Sequence, residues 1–295
     1  MLDGVIEPAH SLIGILRAAV LALLFGVAVS VSAQGNAKRG EYLAKAGGCV
    51  GCHTEEKKDA VAYAGGRELK TPFGAFYGPN ITPHPQAGIG RWTEADFIRA
   101  MRLGDRPDGK NYFPAFPYPS FTKTSDPDLR DIWAYLRSLP PSARANQEHD
   151  LKFPFGWRFL VTFWKWFFFT PGSLMKIQGL SDIANRGAYL VQALGHCGEC
   201  HTPRNFLGGP KRDRFLGGGE GPEGKKVPNL TPARLNKLSD RDVMDFLTTG
   251  LTADGDVPAE AMGEVIRNTT SQLTRDDLGA LIAYLRTLPL IPDEK

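Results

Sequence analysis

The amino-acid sequence predicts a mainly α-helical protein in which one type of domain occurs twice in tandem, each copy folded around a covalently bound group. Segments of the first half recur in the same order in the second half, and the offset between matching residues stays between 146 and 149 positions. Each half contains one Cys-x-x-Cys-His sequence, and each ends in an amphipathic helix pattern. We therefore expect two similar helical domains rather than one large mixed fold.

Length and composition agree with this organisation. A chain of 295 residues suits one large domain or two of ordinary size, and 42% hydrophobic with 23% charged residues is typical of a globular protein. The 33 Gly and 22 Pro predict short helices joined by long ordered loops. A formal net charge of +3 is too small to indicate a nucleic-acid partner.

The N-terminal segment carries the pattern of an export signal. Arg17 precedes the apolar run AAVLALLFGVAVSV (residues 18–31), and a small-residue cleavage pattern ends at Ala33. The run is shorter than the roughly 20 residues of a membrane span. We expect residues 1–33 to be a signal peptide, with an uncleaved N-terminal anchor as the alternative. The mature protein is then expected in the periplasm.

The two Cys-x-x-Cys-His motifs, CVGCH and CGECH, carry the most specific chemical signal. This pattern is the signature of covalent haem attachment, because two thiols three residues apart add to the two vinyl groups of one porphyrin. The histidine that follows then binds the iron. A zinc site would need a second Cys/His pair, and a thioredoxin-like site needs no histidine. The sequence predicts two covalent haem c groups, with Cys49, Cys52, Cys197 and Cys200 as attachment sites and His53 and His201 as iron ligands.

The repeat also gives an order of elements for each half. A helix leads into the haem motif, a long loop follows, and a second helix starts near Thr93 or Ser239. A ligand loop and the final helix complete each copy, with Ser125 and Thr274 as expected N-caps. These elements predict one domain over residues 34–145, a linker over 146–180 and a second domain over 181–295.

Several longer segments resemble a known family. GPNITPHPQAGIGRWTEADFIRAMRLG, FPYPSF, CHTPRN and YLRSLP are similar to segments of class I c-type cytochromes, and more closely to the cytochrome subunits of bacterial alcohol and aldehyde dehydrogenases. The resemblance implies two tandem class I cytochrome c-like domains. It also implies a di-haem electron carrier that takes electrons from a partner dehydrogenase and passes them to a downstream cytochrome or terminal oxidase.

The resemblance implies a sixth iron ligand for the second haem. AMGEVIRNT looks like the family's methionine loop, which makes Met262 the expected partner of His201. A His/Met pair gives a six-coordinate haem of raised reduction potential. Met175 and Met244 are poorer candidates, since one precedes the domain and the other lies early in a helix.

The first haem departs from the family pattern. Phe116 aligns with Met262 when the two halves of the sequence are superimposed, and related cytochromes often have Pro-Ala-Met-Pro-Tyr where this chain has PAFPY. A phenyl ring cannot bind iron. Three alternatives stay open: Met101 reaches the iron from the preceding helix, His84 binds it, or the iron is five-coordinate beneath Phe116.

An open first haem would also suit a different class of protein. A di-haem peroxidase or a sulfur-compound oxidase acts at such a site, and this is the alternative to electron relay. No acid/base set or nucleotide-binding glycine motif stands out, so we expect a carrier rather than an enzyme. His196, just before Cys197, is expected to make local hydrogen bonds and to point away from the iron.

The connector between the halves is rich in aromatic residues. FPFGWRFLVTFWKWFFF, from Phe153 to Phe169, contains three of the five Trp, seven Phe, and the cations Arg158 and Lys165. Two interpretations follow. Either the segment is a helix packed between the domains, or its aromatic residues lie at a membrane surface or in a partner's groove.

Overall fold

The structure is a computed structural model that describes residues 35–293, apart from 222–223, 253–254, 256 and 258–259. The predicted signal peptide lies outside the described residues. Among those that are described, no helix combines the length and the apolar character needed to cross a bilayer.

The first half contains five helices and a small antiparallel sheet within its described residues. The helices are α1 (Ala37–Ala46), α2 (Cys49–Cys52), α3 (Glu94–Leu103), α4 (Tyr118–Phe121) and α5 (Asp126–Ser138). The strands are β1 (Glu68–Thr71), β2 (Gly74–Tyr77) and β3 (Asp150–Leu151), in the order β1-β2-β3. The hairpin and β3 were not predicted, since the sequence was interpreted as loop here. Thr71 pairs with Gly74, and Gly74 has a φ of 122° that favours glycine.

The connector and the second half follow the same plan. The helices are α6 (Leu160–Phe168), α7 (Asp182–Tyr189), α8 (Gly198–His201), α9 (Pro232–Leu235), α10 (Asp240–Thr249), α11 (Glu260–Asn268) and α12 (Arg275–Thr287). A short hairpin joins β4 (Gly219–Glu220) to β5 (Lys226–Val227). Single 3₁₀ turns occur at Arg212–Arg214 and Thr270–Gln272.

Side-chain caps fix where the predicted helices begin. Thr93 and Ser239 each form a capping box with the aspartate three residues later, at the starts of α3 and α10. Ser125 and Thr274 each accept a hydrogen bond from the third backbone N–H of α5 and α12. All four predicted starts are therefore confirmed, and they hold equivalent helices in the two halves.

In each half the first and last helices cross with their backbones in contact. A Cβ at Gly40 of α1 would lie 1.8 Å from the carbonyl oxygen of Asp131 in α5. A Cβ at Gly187 of α7 would lie 1.9 Å from the carbonyl oxygen of Ala280 in α12. Only glycine permits so close an approach, so these two positions set the helix crossing that frames each haem site.

One extra residue in the second half is absorbed by a π-helical turn. Six residues separate Tyr42 from Cys49, whereas seven separate Tyr189 from Cys197. The structure places a π turn over Leu190–Leu194, in which the Gly195 N–H donates to the Leu190 carbonyl at 2.7 Å. A π turn inserts one residue into a helix without ending it. The second motif thereby keeps its place relative to its helix.

The two halves meet through reciprocal contacts. The Tyr42 hydroxyl of α1 donates to Asp277 of α12, and the Tyr189 hydroxyl of α7 donates to Asp128 of α5. Residues in equivalent positions thus contact each other in both directions, which is the arrangement of an isologous interface. The core is continuous here, because Leu190 of the second half is buried within the first-half cluster.

Candidate haem sites

Each Cys-x-x-Cys-His motif forms a single helical turn. His53 and His201 close their turns by donating backbone N–H groups to Cys49 and Cys197, at 3.1 and 3.0 Å. All four cysteines carry free thiols. Burial raises the pKa of the Cys49 thiol to about 12, which keeps it neutral. Within the described part of the chain, no cluster of three or more His, Cys, Asp or Glu is arranged to hold a metal ion.

Both motif histidines are held in the same way. Nδ1 of His53 donates to the Pro79 carbonyl at 2.7 Å, and Nδ1 of His201 donates to the Pro228 carbonyl at 2.8 Å. This tautomer leaves Nε2 with a lone pair for a metal. Burial lowers the pKa of both imidazoles, which favours the neutral form that binds iron.

The prolines are positioned by buried asparagines of the repeated P-N-x-T-P sequence. The Asn80 amide donates to the Ser142 carbonyl at 2.8 Å, and the Asn229 amide donates to the Ile291 carbonyl at 2.6 Å. The repeat is visible in the sequence, whereas this role of the asparagines is not. The histidine is held by a main-chain carbonyl, which any residue type provides, so the residue type at that position does not reveal the contact. The sequence indicates the contact only through the P-N-x-T-P segment that follows both motifs.

A cavity of about 890 Å³ lies beside the first motif. Cys49, Cys52 and His53 line it together with apolar residues, and a cavity of this size suits a cofactor-sized ligand. Arg106 and Arg158 also line it and offer positive charge for the two carboxylates of a haem. Attachment thiols, a neutral imidazole, an apolar lining and cations are the groups a haem c needs, so the residues fit the group.

The cavity brings together two of the residues discussed for the sixth ligand. Met101, on α3, is 5% exposed and lines the cavity, as does Phe116. Met101 is the one thioether among the described lining residues. His84 does not line it; its Nδ1 accepts a hydrogen bond from the Ala87 N–H at 3.0 Å. The structure favours Met101 over His84, and ligation by Met101 stays a prediction.

The second site shows a corresponding arrangement. Met262 on α11 is partly buried and packs against the second-half core cluster, as does Cys197. Met244 of α10 also contacts this cluster, whereas Met175 is 79% exposed. The exposure of Met175 removes it as a candidate. Met262 as the ligand opposite His201 stays a prediction.

Comparison with known proteins identifies the family. The family model described as Cytochrome c matches the chain twice, over residues 37–140 and 184–289. The chain belongs to the cytochrome c family. The predicted pair of tandem cytochrome c domains, mainly α-helical, is therefore confirmed.

Curated relatives of this cytochrome c include several dehydrogenase subunits. A protein named diheme cytochrome c-type from Cereibacter sphaeroides is 45% identical over 262 residues, which is 87% of each chain. The cytochrome c subunit of the alcohol dehydrogenase (quinone) of Gluconobacter oxydans is 37% identical over 290 residues. The cytochrome subunit of the fructose dehydrogenase of Gluconobacter japonicus is 37% identical over 263 residues.

Coverage differs among these relatives. The match covers 94% of this cytochrome but 60% of the alcohol dehydrogenase subunit, and 85% of this cytochrome but 52% of the fructose dehydrogenase subunit. The chain thus spans between half and two thirds of those two relatives. Together the comparisons show a di-haem cytochrome c with two covalently bound haem c groups, and they confirm electron transfer as its activity.

In this cytochrome c each haem-attachment turn packs against a helix of the other half. Gly51 of the first motif lies against Glu264 of α11. Glu199 of the second motif accepts a hydrogen bond from Ser120 of α4 at 2.6 Å. Arg67 pairs with Glu264 at 2.7 Å beside the first turn. The two attachment turns therefore lie on one shared interface.

The contacts of His196 correct the expectation of purely local bonding. Although it precedes Cys197 of the second motif, it lines the cavity of the first. Its imidazole packs edge-on against Phe121, with ring centroids 5.4 Å apart, and bonds with the Gly47 backbone. The first-half position equivalent to His196 is Gly48, and a Cβ at Gly48 would lie 4.0 Å from Nε2 of His196. The reciprocal interface between the halves therefore places His196 beside the first cavity. His196 thus links the second attachment turn to the first haem cavity.

Proposed function

We propose that this cytochrome c is a periplasmic electron relay at the face of the membrane. It takes single electrons from a partner dehydrogenase and passes them to a downstream cytochrome or terminal oxidase. The observation that supports the proposal is the reciprocal interface, which places both attachment turns in contact with the opposite half. The names of the relatives, as cytochrome subunits of alcohol and fructose dehydrogenases, support a dehydrogenase donor.

Export and domain boundaries are part of the same proposal. Residues 1–33 act as the signal peptide, and cleavage after Ala33 leaves the mature chain. The first haem domain then covers residues 34–145, the connector 146–180 and the second haem domain 181–295. Support comes from the apolar run before Ala33 and from the two family matches on either side of the connector.

The side chains of this cytochrome hold and tune the haems rather than react with a substrate. Cys49, Cys52, Cys197 and Cys200 hold the haems covalently, and the haem irons supply one-electron chemistry. His53 and His201 donate Nε2 because their Nδ1 protons are committed to carbonyl oxygens. Met262 completes the second site, which raises its reduction potential.

For the first site, Met101 completes the ligand set. Burial on α3 and a place in the cavity lining support this assignment. Replacement of Met101 by Leu is expected to turn one low-spin haem into a high-spin haem that binds carbon monoxide when reduced. Met262→Leu is the matched variant and should do the same at the second haem. If Met101→Leu leaves both haems low-spin, Met101 is not a ligand.

A second candidate function is supported by Phe116. Because this phenyl ring lines the cavity at the position that aligns with Met262, an open first iron would accept peroxide or a sulfur compound. The wild-type protein distinguishes the two functions. Two low-spin haems that ignore carbon monoxide support the relay, and one high-spin haem that binds it supports the enzyme.

The relay itself is tested in cells. A strain that lacks the protein should lose part of its oxygen uptake with an alcohol, aldehyde or sugar as electron source. The wild-type gene should restore the uptake, and a Cys197→Ser/Cys200→Ser variant should not. Unchanged uptake with every such substrate would contradict the proposed donor class.

A further inference from the structure

The two cations of the aromatic connector face the protein interior. Arg158 donates to the Asn111 carbonyl at 2.9 Å, and its guanidinium lies 4.3 Å from the centre of the Phe113 ring. Lys165 donates to Asp105 at 2.7 Å, and its ammonium lies 5.1 Å from the centre of a tyrosine ring on α4. The charges within the connector are thus satisfied by the first half.

The opposite side of the connector is left apolar and exposed. Six of its side chains are between 48% and 79% exposed, and we call them the aromatic face. They are Phe153, Trp157, Phe159, Phe163, Trp166 and Phe167. The exposed Phe206 extends this surface, because Trp164 anchors the neighbouring loop by donating to the Leu207 carbonyl at 3.1 Å. Ring contacts join Phe153, Trp157 and Phe159 into one group and Phe163 with Trp166 into another. So many exposed rings in one segment mark an interaction site rather than an ordinary surface.

Charge identifies the kind of partner. Residues 151–176 include no Asp or Glu, and of their four cations Arg158 and Lys165 face the interior while Lys176 pairs with Asp182. Lys152 lies at the edge of the aromatic face, is exposed, and donates to the backbone at Pro72. Exposed aromatic rings beside a cation match the interfacial zone of a bilayer with anionic headgroups. The nine residues of α6 are too few to span a membrane, so the helix would lie in its surface.

We propose that the aromatic face inserts into the interfacial zone of an anionic phospholipid bilayer. This proposal rests on the periplasmic location proposed above, and it specifies the surface to which the protein binds in the periplasm. Ring contacts connect the connector to the first haem site. Phe169, at the end of α6, packs edge-on against Tyr118, which in turn contacts Phe116 of the first cavity.

Flotation of the purified holoprotein with vesicles tests this proposal. The vesicles are phosphatidylcholine alone, or phosphatidylcholine with about one third phosphatidylglycerol. The wild-type protein should float with the anionic vesicles, and its affinity should fall as salt is added. Trp166→Ser/Phe167→Ser should lower that affinity about tenfold or more. The visible haem spectrum reports whether each variant is folded.

A matched variant removes exposed apolar side chains elsewhere. Val61→Ser/Leu290→Ser, at positions 55% and 68% exposed, should float as the wild type does. All variants share one N-terminus, so an uncleaved anchor would make them float equally, which would overturn the proposal. Wild-type protein that stays unbound would also overturn it and would assign the face to a protein partner. Electron uptake by the protein can be measured without vesicles, so this measurement does not depend on membrane binding. Absence of electron uptake would contradict the proposed relay and would leave the membrane proposal unaffected.

Discussion

The Tyr42 hydroxyl in the first half donates a hydrogen bond to Oδ2 of Asp277 in the second half, at 2.6 Å. The equivalent pair, Tyr189 and Asp128, forms the same contact in the opposite direction. The first helix of each half is thus tied to the last helix of the other. Because these helices frame the haem sites, the two bonds fix the relation between the attachment turns.

Replacement of Tyr42 by Phe removes one of these bonds and leaves the ring in place. A hydrogen bond to a carboxylate contributes about 1.5 kcal/mol or more, so the free energy of unfolding should fall by about that amount. Denaturant titration of the holoprotein measures it. Tyr77→Phe is the control, because its hydroxyl makes a long, exposed contact of 3.5 Å with Glu68. Equal effects in both variants would show that the interface bond contributes nothing.

The same interface predicts a loss of stability in acid. Burial alone would raise the pKa of Asp277, but the hydrogen bonds from Arg186 and Tyr42 outweigh burial and hold the pKa below its ordinary value. A carboxyl with a depressed folded-state pKa stabilises the fold above its unfolded value, about 3.9, and that stability disappears as the pH falls through the folded pKa. Wild-type stability should therefore decline below about pH 4.

Unfolding experiments between neutral and strongly acidic pH isolate the contribution of Asp277. The difference in unfolding free energy between wild type and Asp277→Asn should be largest near neutral pH and should shrink below about pH 4. A difference that stays constant across this range would show that the charge on Asp277 does not stabilise the interface.

Helix crossing in the second half depends on Gly187. Alanine there would bring its Cβ within 1.9 Å of the Ala280 carbonyl oxygen, so the helices must separate, at a cost of about 1–3 kcal/mol. Gly279→Ala, on the partner helix α12, meets nothing within 4 Å and should be neutral or stabilising by about 0.5–1 kcal/mol. Thermal unfolding of both variants checks the prediction. A Gly187→Ala protein as stable as wild type would mean that the crossing tolerates a side chain.

His196 should affect the haem of the other half. It lines the first cavity although it precedes the second motif, so His196→Leu should shift the reduction potential of the first haem more than that of the second. Redox titration in Met101→Leu and Met262→Leu backgrounds assigns each wave to its haem. A shift confined to the second haem would show that His196 acts only within its own motif.

Local features of this fold were predictable from sequence, and contacts between the halves were not. The caps at Thr93 and Ser239 and the two attachment motifs depend on residues a few positions apart, so their spacing reveals them. The sequence shows a single extra residue before Cys197. It does not show that a π turn at Leu190–Leu194 accommodates this residue. The place of His196 depends on how the halves dock, which a repeat alone does not specify.

The connector shows the same limit. Its composition allowed either a packed helix or an exposed aromatic surface, and the structure contains both. Lys165 of α6 packs against the first half, and Trp164 contacts the second through Leu207. Phe167 on the same helix is exposed. Sequence composition could not divide the rings between the two environments, because the polar residues Arg158, Thr162 and Lys165, which would ordinarily mark an exposed side, contact the first half instead.

The central claim is that this cytochrome c carries one covalent haem on each attachment turn. Mass spectrometry of peptides from the exported protein tests it directly. The peptide containing Cys49 and Cys52 and the peptide containing Cys197 and Cys200 should each carry the mass of one haem. Unmodified thiols in either peptide would contradict the claim.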